Sequence, residues 1–147
     1  MEKVVNHLKI LLADLNVFYR KLQNYHWNIE GDEFFWVHEK LEEYYNAIHE
    51  QIDEIAEHIL ILGEEPLGTL KDYLEKTTLK EAENKKIKED KIFKSIMEDF
   101  ATLKLEVLTI KKEADKEEDT FGTSALMDEY ILKYSKILWM LRQRMGE

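Results

Sequence analysis

Apolar residues recur along this chain at alternating steps of three and four, and they do so in four separate runs. The first run is Val4, Leu8, Leu11, Leu15, Phe18, Leu22 and Tyr25; the second is Phe34, Leu41, Tyr45, Ile48, Ile52, Ile55, Ile59 and Leu62. The third is Ile92, Ile96, Phe100, Leu103, Val107, Ile110 and Ala114; the fourth is Met127, Tyr130, Tyr134, Ile137, Leu141 and Met145. That spacing places each run on one face of a helix, so the pattern predicts four long amphipathic helices. The breaks between them carry turn residues. Asn28 to Glu33 contains Gly31, Gly63 to Gly68 contains Pro66, and Asp115 to Thr123 contains Gly122. Thr78 and Glu81 have the spacing of a capping box, which predicts that the third long helix starts near Thr78. Thr69 to Lys76 is predicted to form a short helix of its own.

Loop lengths then set the topology. A short first loop makes helices one and two antiparallel neighbours, whereas the stretch from Gly63 to about Thr78 is long enough to cross the bundle. An all-α four-helix bundle with one long crossover, here carrying a short helix between helices two and three, is the ferritin-like arrangement. The absence of an internal repeat or linker predicts one domain over residues 1–147.

Composition narrows the function. The chain has no cysteine, which excludes disulfides, Cys-rich zinc sites and thiol catalysis. Its net charge of −10 opposes attraction of the whole surface to nucleic acid. No apolar run reaches the ~18–20 residues of a membrane span. MEKVVNHLKILLADL places Lys9 and Asp14 within its apolar stretch and lacks the small-residue cleavage site of a secretory signal. The expectation is a soluble, cytoplasmic protein without a membrane partner. Twelve of the 21 basic residues are lysines between Lys71 and Lys116, but the segment is equally rich in acids and reads as a solvated helix face.

The candidate chemistry lies in His26, His38, Glu42, His49, Asp53, Glu57 and His58. His38 and Glu42 are an i, i+4 pair on one helix face, and Asp53 and Glu57 are a second such pair on the same helix. Mixed imidazole and carboxylate donors suit iron, zinc or manganese. However, His38 and Asp53 are 15 residues apart, which is about 22 Å along a helix. One ion holds its ligands about 2 Å away, so the two pairs cannot share an ion within one subunit. Two copies of helix two packed antiparallel about a two-fold axis near Asn46 and Ala47 would bring His38 of one chain to Asp53 and Glu57 of the other. Such a dimer holds two equivalent sites. His26 lies across the short loop from His38 and can join the same half. The Glu-x-x-His signature of a di-iron site inside one bundle is absent, because Phe35, Asn46 and Ile55 stand three before the downstream histidines. His49-Glu50-x-x-Asp53 only approximates the zinc-hydrolase motif, with Asp in place of its second His.

The segment NYHWNIEGDEFFWVHEKLEE (Asn24 to Glu43) resembles the Dps proteins, miniature ferritins named for DNA protection during starvation. IDEIAEHILILGEEPLGTL (Ile52 to Leu70), ILWMLRQ (Ile137 to Gln143) and LLADLNVFYRKLQ near the start extend the resemblance over nearly the whole chain, most weakly in Glu81 to Gly122. The spacing of His26, His38, Asp53 and Glu57 is similar to that family's ferroxidase centre, with Glu42 where the family commonly has Asp.

This resemblance implies a homo-dodecameric hollow shell with ferroxidase centres at its two-fold interfaces. It implies binding of Fe(II), oxidation with hydrogen peroxide in preference to dioxygen, and storage of ferric mineral inside. The implied ligands are His26, His38, Asp53 and Glu57, with Glu42 contributing directly or through water, and zinc as a competitor for the site. Trp27 matches a family Trp held to intercept oxidising equivalents, although packing is an equal reading; Trp36 and Trp139 read as packing residues. Glu43, Glu50 and Glu54 are candidates to line the cavity. The family's pore carboxylates are displaced here to Asp115, Glu117, Glu118 and Asp119. No Lys- or Arg-rich tail is present, so direct DNA binding is not expected; a DNA-binding shell with secondary iron chemistry is the alternative.

Overall fold

The computed structural model describes all 147 residues. It contains α1 (Glu2–Asn28), α2 (Phe34–Ile61), α3 (Leu70–Lys76), α4 (Glu89–Asp115) and α5 (Thr123–Met145). α1 packs along α2 and α4 along α5, and α1 also packs against α4. The crossover between α2 and α4 carries the short α3, as the loop lengths required. A core of 31 buried residues runs through the four long helices. Every member of the first and third stripes is buried. In α5 the buried position is Leu138 rather than the expected Ile137, which is only half-buried. No helix is long and apolar enough to cross a membrane.

The ends of the helices follow local chemistry. Gly63 adopts φ +88° just beyond α2, and the Glu64 amide donates back to Ile59 O at 3.1 Å. A left-handed residue there lets the chain turn out of the helix, and glycine adopts it at no steric cost. Thr69 caps α3 by accepting a hydrogen bond from Asp72 N at 3.1 Å.

The third long helix does not start near Thr78. It starts at Glu89, and Thr78 to Lys88 remain extended loop. The reason is Asp14, fully buried on α1. Its carboxylate accepts from Thr77 Oγ1 at 2.6 Å, Thr78 N at 2.6 Å and Thr78 Oγ1 at 2.7 Å. These bonds hold Thr77 and Thr78 against α1 as part of the crossover, so the chain runs on as loop before α4 begins. The loop end is held a second time where Glu30 N donates to Ile87 O and Ile87 N to Asn28 O.

Of the two tryptophans read as packing residues, Trp36 packs on the core, whereas Trp139 has no such place within the single chain. Trp36 stacks on Phe93 with centroids 5.7 Å apart, yet remains 43% exposed. Trp139 is 52% exposed and takes no part in the core of the single chain. Both are available to surfaces outside the bundle.

Buried charge joins α1 to α4. Lys21 Nζ lies 2.9 Å from Asp99 Oδ2, both largely hidden from solvent. Glu106 lies against Asp14 and Thr78; burial, then the Asp14 hydrogen bond and charge, push its carboxyl up to about 10. A carboxyl whose value rises from 4.5 when unfolded to about 10 when folded binds its proton more tightly in the fold. Its contribution is therefore complete below 4.5 and is lost as pH rises from 4.5 towards about 10. Thermal unfolding across that window should show the midpoint falling with pH. Glu106→Gln, which keeps a donor without a proton to lose, should flatten the slope; an unchanged slope would show that Glu106 is not the titrating group.

Candidate metal centre

The turn between α1 and α2 brings His26 and His38 face to face. Their rings stack with centroids 3.6 Å apart and planes 11° apart. Each ring reaches across to the other residue's main chain. His26 Nδ1 lies 2.6 Å from His38 O, and His38 Nδ1 lies 2.7 Å from His26 O. A carbonyl oxygen can only accept, so both Nδ1 atoms must carry the hydrogen. The ε nitrogens are thereby left as lone-pair donors, and orienting a ligand imidazole through its other nitrogen is how metal sites fix the tautomer. The arrangement follows from position: the carbonyl of His26 lies in the last turn of α1, where helices leave acceptors without an internal partner.

Aromatic rings confine the pair. Phe34 stacks on His38 at 5.0 Å, and Tyr45 meets His26 edge-on at 5.3 Å. Glu42 Oε1 lies 3.8 Å from His26 Nε2, and Tyr45 donates a long hydrogen bond of 3.5 Å to the same oxygen. His26 is buried, whereas Glu42 is exposed. The centre is therefore a fixed pair of nitrogens beside a carboxylate that is free to move.

Asp53 and Glu57 form the second group. The Glu57 carboxyl is raised, first by its hydrogen bond with Asp53 and then by that neighbour's charge. Two carboxyls held this way favour a proton or a cation between them. Both line an open groove of about 640 Å³ with Glu50, Glu54, His58 and Glu129. The two groups do not meet: no three His, Asp or Glu side chains within the chain converge to hold an ion.

The remaining histidines have other partners. His58 is buried, its Nε2 lies 2.7 Å from Thr123 Oγ1, and burial lowers its pKa. His49 packs against Tyr19 at 5.3 Å. Trp27 is 56% exposed, with the Arg20 guanidinium 5.9 Å from its ring centroid. Asp119 accepts from Thr123 N and Ser124 N, so it caps α5. Phe34 and Tyr45, which the spacing places on the core stripe, pack against the edge of the core and also flank the histidines. Their positions held the signal: Phe34 is one turn before His38, and Tyr45 three residues after Glu42.

The reciprocal clasp is directly observable. Long-range proton–nitrogen correlation spectra of the metal-free protein should show His26 and His38 both protonated on Nδ1; an Nε2–H form at either would contradict the geometry.

The chain as a whole is similar to known proteins. A sequence model described as the ferritin-like domain matches residues 5–147. The chain is 36% identical over 144 residues to the DNA protection during starvation protein of Helicobacter pylori, covering 98% of this chain and 99% of that one. It superposes with TM-score 0.93 and 38% identity on the DPS protein of Vibrio cholerae O1, covering 98% and 89%; that protein is described as belonging to a broad superfamily of ferritin-like diiron-carboxylate proteins. Antigen TpF1 of Treponema pallidum superposes with TM-score 0.95 at 32% identity, covering 99% and 93%.

Proposed function

This chain belongs to the Dps family of ferritin-like proteins, and from that premise we propose that it is a ferroxidase and iron store whose active centres are completed between subunits. The observation that carries the reading is the division of the donors. His26 at the end of α1 stands beside His38 and Glu42 near the start of α2, and Asp53, followed by Glu57, lies about 22 Å beyond His38 along α2. Glu42, Asn46, Glu50, Asp53 and Glu57 all lie on the exposed face of α2. Antiparallel packing of two such faces, with Asn46 and Ala47 near the axis, sets one protomer's imidazoles against the other's carboxylates. Each interface then holds two equivalent centres.

The residues suit Fe(II) as substrate. Carboxylates are hard anionic donors that hold iron in both oxidation states, and neutral imidazole adds ligation without charge. The Nδ1 hydrogen bonds keep both ε nitrogens aimed before iron arrives, so little ordering remains to be done on binding. Two Fe(II) give the two electrons that hydrogen peroxide takes in becoming water; dioxygen is the slower oxidant. Asp53 and Glu57 set two carboxyls side by side to hold the cation. The ferric product is stored in a homo-dodecameric shell in the cytoplasm, with residues 1–147 acting as one domain and zinc competing for the same donors. At −10 per chain, twelve subunits carry about −120, and repulsion from duplex phosphate opposes direct DNA binding.

Subunit mixing tests the division. His38→Ala and Asp53→Ala shells should each lose rapid Fe(II) oxidation while keeping their size. In a hybrid dimer, one centre carries both substitutions and the other carries neither, so co-assembled variants should recover activity. Recovery, with two Fe(II) oxidised per peroxide, supports the shared centre. Inactive hybrids of normal size, or a monomer that oxidises iron at the wild-type rate, would refute it.

A further inference from the structure

Glu33 is the N-cap residue of α2, yet its side chain caps nothing. The first amides of a helix lack internal partners, and a capping side chain ordinarily accepts from them. Glu33 accepts instead from Arg144 Nη2, in the last turn of α5, at 2.7 Å. The same guanidinium lies 5.1 Å from the ring centroid of Phe93, and Phe93 stacks on Trp36 at 5.7 Å. A longer contact of 3.5 Å reaches Asp90 in the first turn of α4. Arg144 therefore meets the start of α2 by two routes, one through Glu33 and one through Trp36. Between those two residues stands Phe34, whose ring stacks on His38 at 5.0 Å.

The turn that precedes α2 is pinned as well. Glu30 N donates to Ile87 O, and Ile87 N donates to Asn28 O. Gly31 adopts φ +127°, and a Cβ there would come 3.2 Å from Glu89 Oε2, so the backbone of the turn lies directly against the start of α4. These contacts end at Gly31. The next hydrogen bond that reaches the chain from outside α1 and α2 is the one from Arg144 to Glu33.

We propose that Arg144 is a positioning residue for the metal centre: through Glu33 it sets the first turn of α2, and with it the direction in which His38 presents Nε2. The proposal rests on the reading of His26 and His38 as iron ligands, and it adds the end of α5 to the parts that the centre requires. The side chains of the pair are 31% and 35% exposed. An ion pair so placed contributes little to stability. A guanidinium is a planar, fixed fork, however, and holds an orientation where an ammonium holds only a charge. Loss of Arg144 is thus expected to disturb aim and to spare the fold.

Anaerobic Co(II) titration of the assembled protein, followed at the ring nitrogens of His26 and His38 by solid-state nuclear magnetic resonance, reads that aim without any oxidation. Removing the group that orients a metal-binding ligand costs about 10–100-fold in affinity, and Arg144 acts one step further out, so Arg144→Gln should weaken Co(II) about tenfold. Glu33→Gln should do the same, and the double variant should be no weaker than either alone, because the two act as one unit. In the metal-free protein both single variants should broaden or split the His38 Nδ1 signal while the thermal midpoint stays near that of the unsubstituted protein. Lys116→Gln is the control, since it removes an exposed pair with Glu113 at 3.0 Å at the other end of α4. Equal cobalt affinity in Arg144→Gln, separate losses that sum in the double variant, or an equal loss in Lys116→Gln overturns the proposal. If cobalt leaves both rings unmoved in the unsubstituted protein, the reading of the histidines as ligands falls, and the tie from Arg144 to His38 is judged by the metal-free spectra alone.

Discussion

Two imidazoles, each tied through Nδ1 to the other's main chain, join the end of α1 to the start of α2. The bonds settle three things together: the angle at which the second helix leaves the first, the tautomer of both rings, and the direction of both free nitrogens. Turning the His38 ring releases the His26 carbonyl, which lies in the last turn of α1, and turning the His26 ring breaks its bond to the His38 carbonyl. Phe34 and Tyr45 close the remaining sides with apolar surface. Geometry that a metal site elsewhere takes from carboxylate partners is taken here from the polypeptide itself.

The carboxylates are held less firmly. Glu42, Asp53 and Glu57 are exposed and can follow a cation as it changes charge and coordination. Rigid nitrogens beside adaptable oxygens form a reasonable division of labour for iron, because the oxygens accommodate the contraction that accompanies oxidation. The opposite economy holds at Asp14, where one fully buried carboxylate takes three hydrogen bonds and fixes the path of the crossover.

The helices were legible because burial imposes its period on the sequence, as the wholly buried first and third stripes show. The start of α4 was not. Thr78 and Glu81 have the local spacing of a cap, but the partner that decides Thr78 lies 64 residues earlier in the chain. The two groups of candidate donors were legible as spacing, and so was their inability to meet within one chain. The mutual grip of His26 and His38 was not, because it uses carbonyl groups, which every residue carries. Trp139 shows the limit from the other side: a large apolar residue on a core-packed helix reads as core until the face it occupies is known.

The separation of the donors along α2 has a consequence for a newly made chain. Its hydrophobic core is complete before any partner arrives, so folding does not wait on iron. On the proposed reading its donor set is incomplete, since the two groups of donors do not converge within a solitary chain. On that reading, competence per chain rises in proportion to subunit concentration at high dilution and becomes constant once assembly saturates. Oxidation is thereby postponed, on the proposed reading, until subunits have come together.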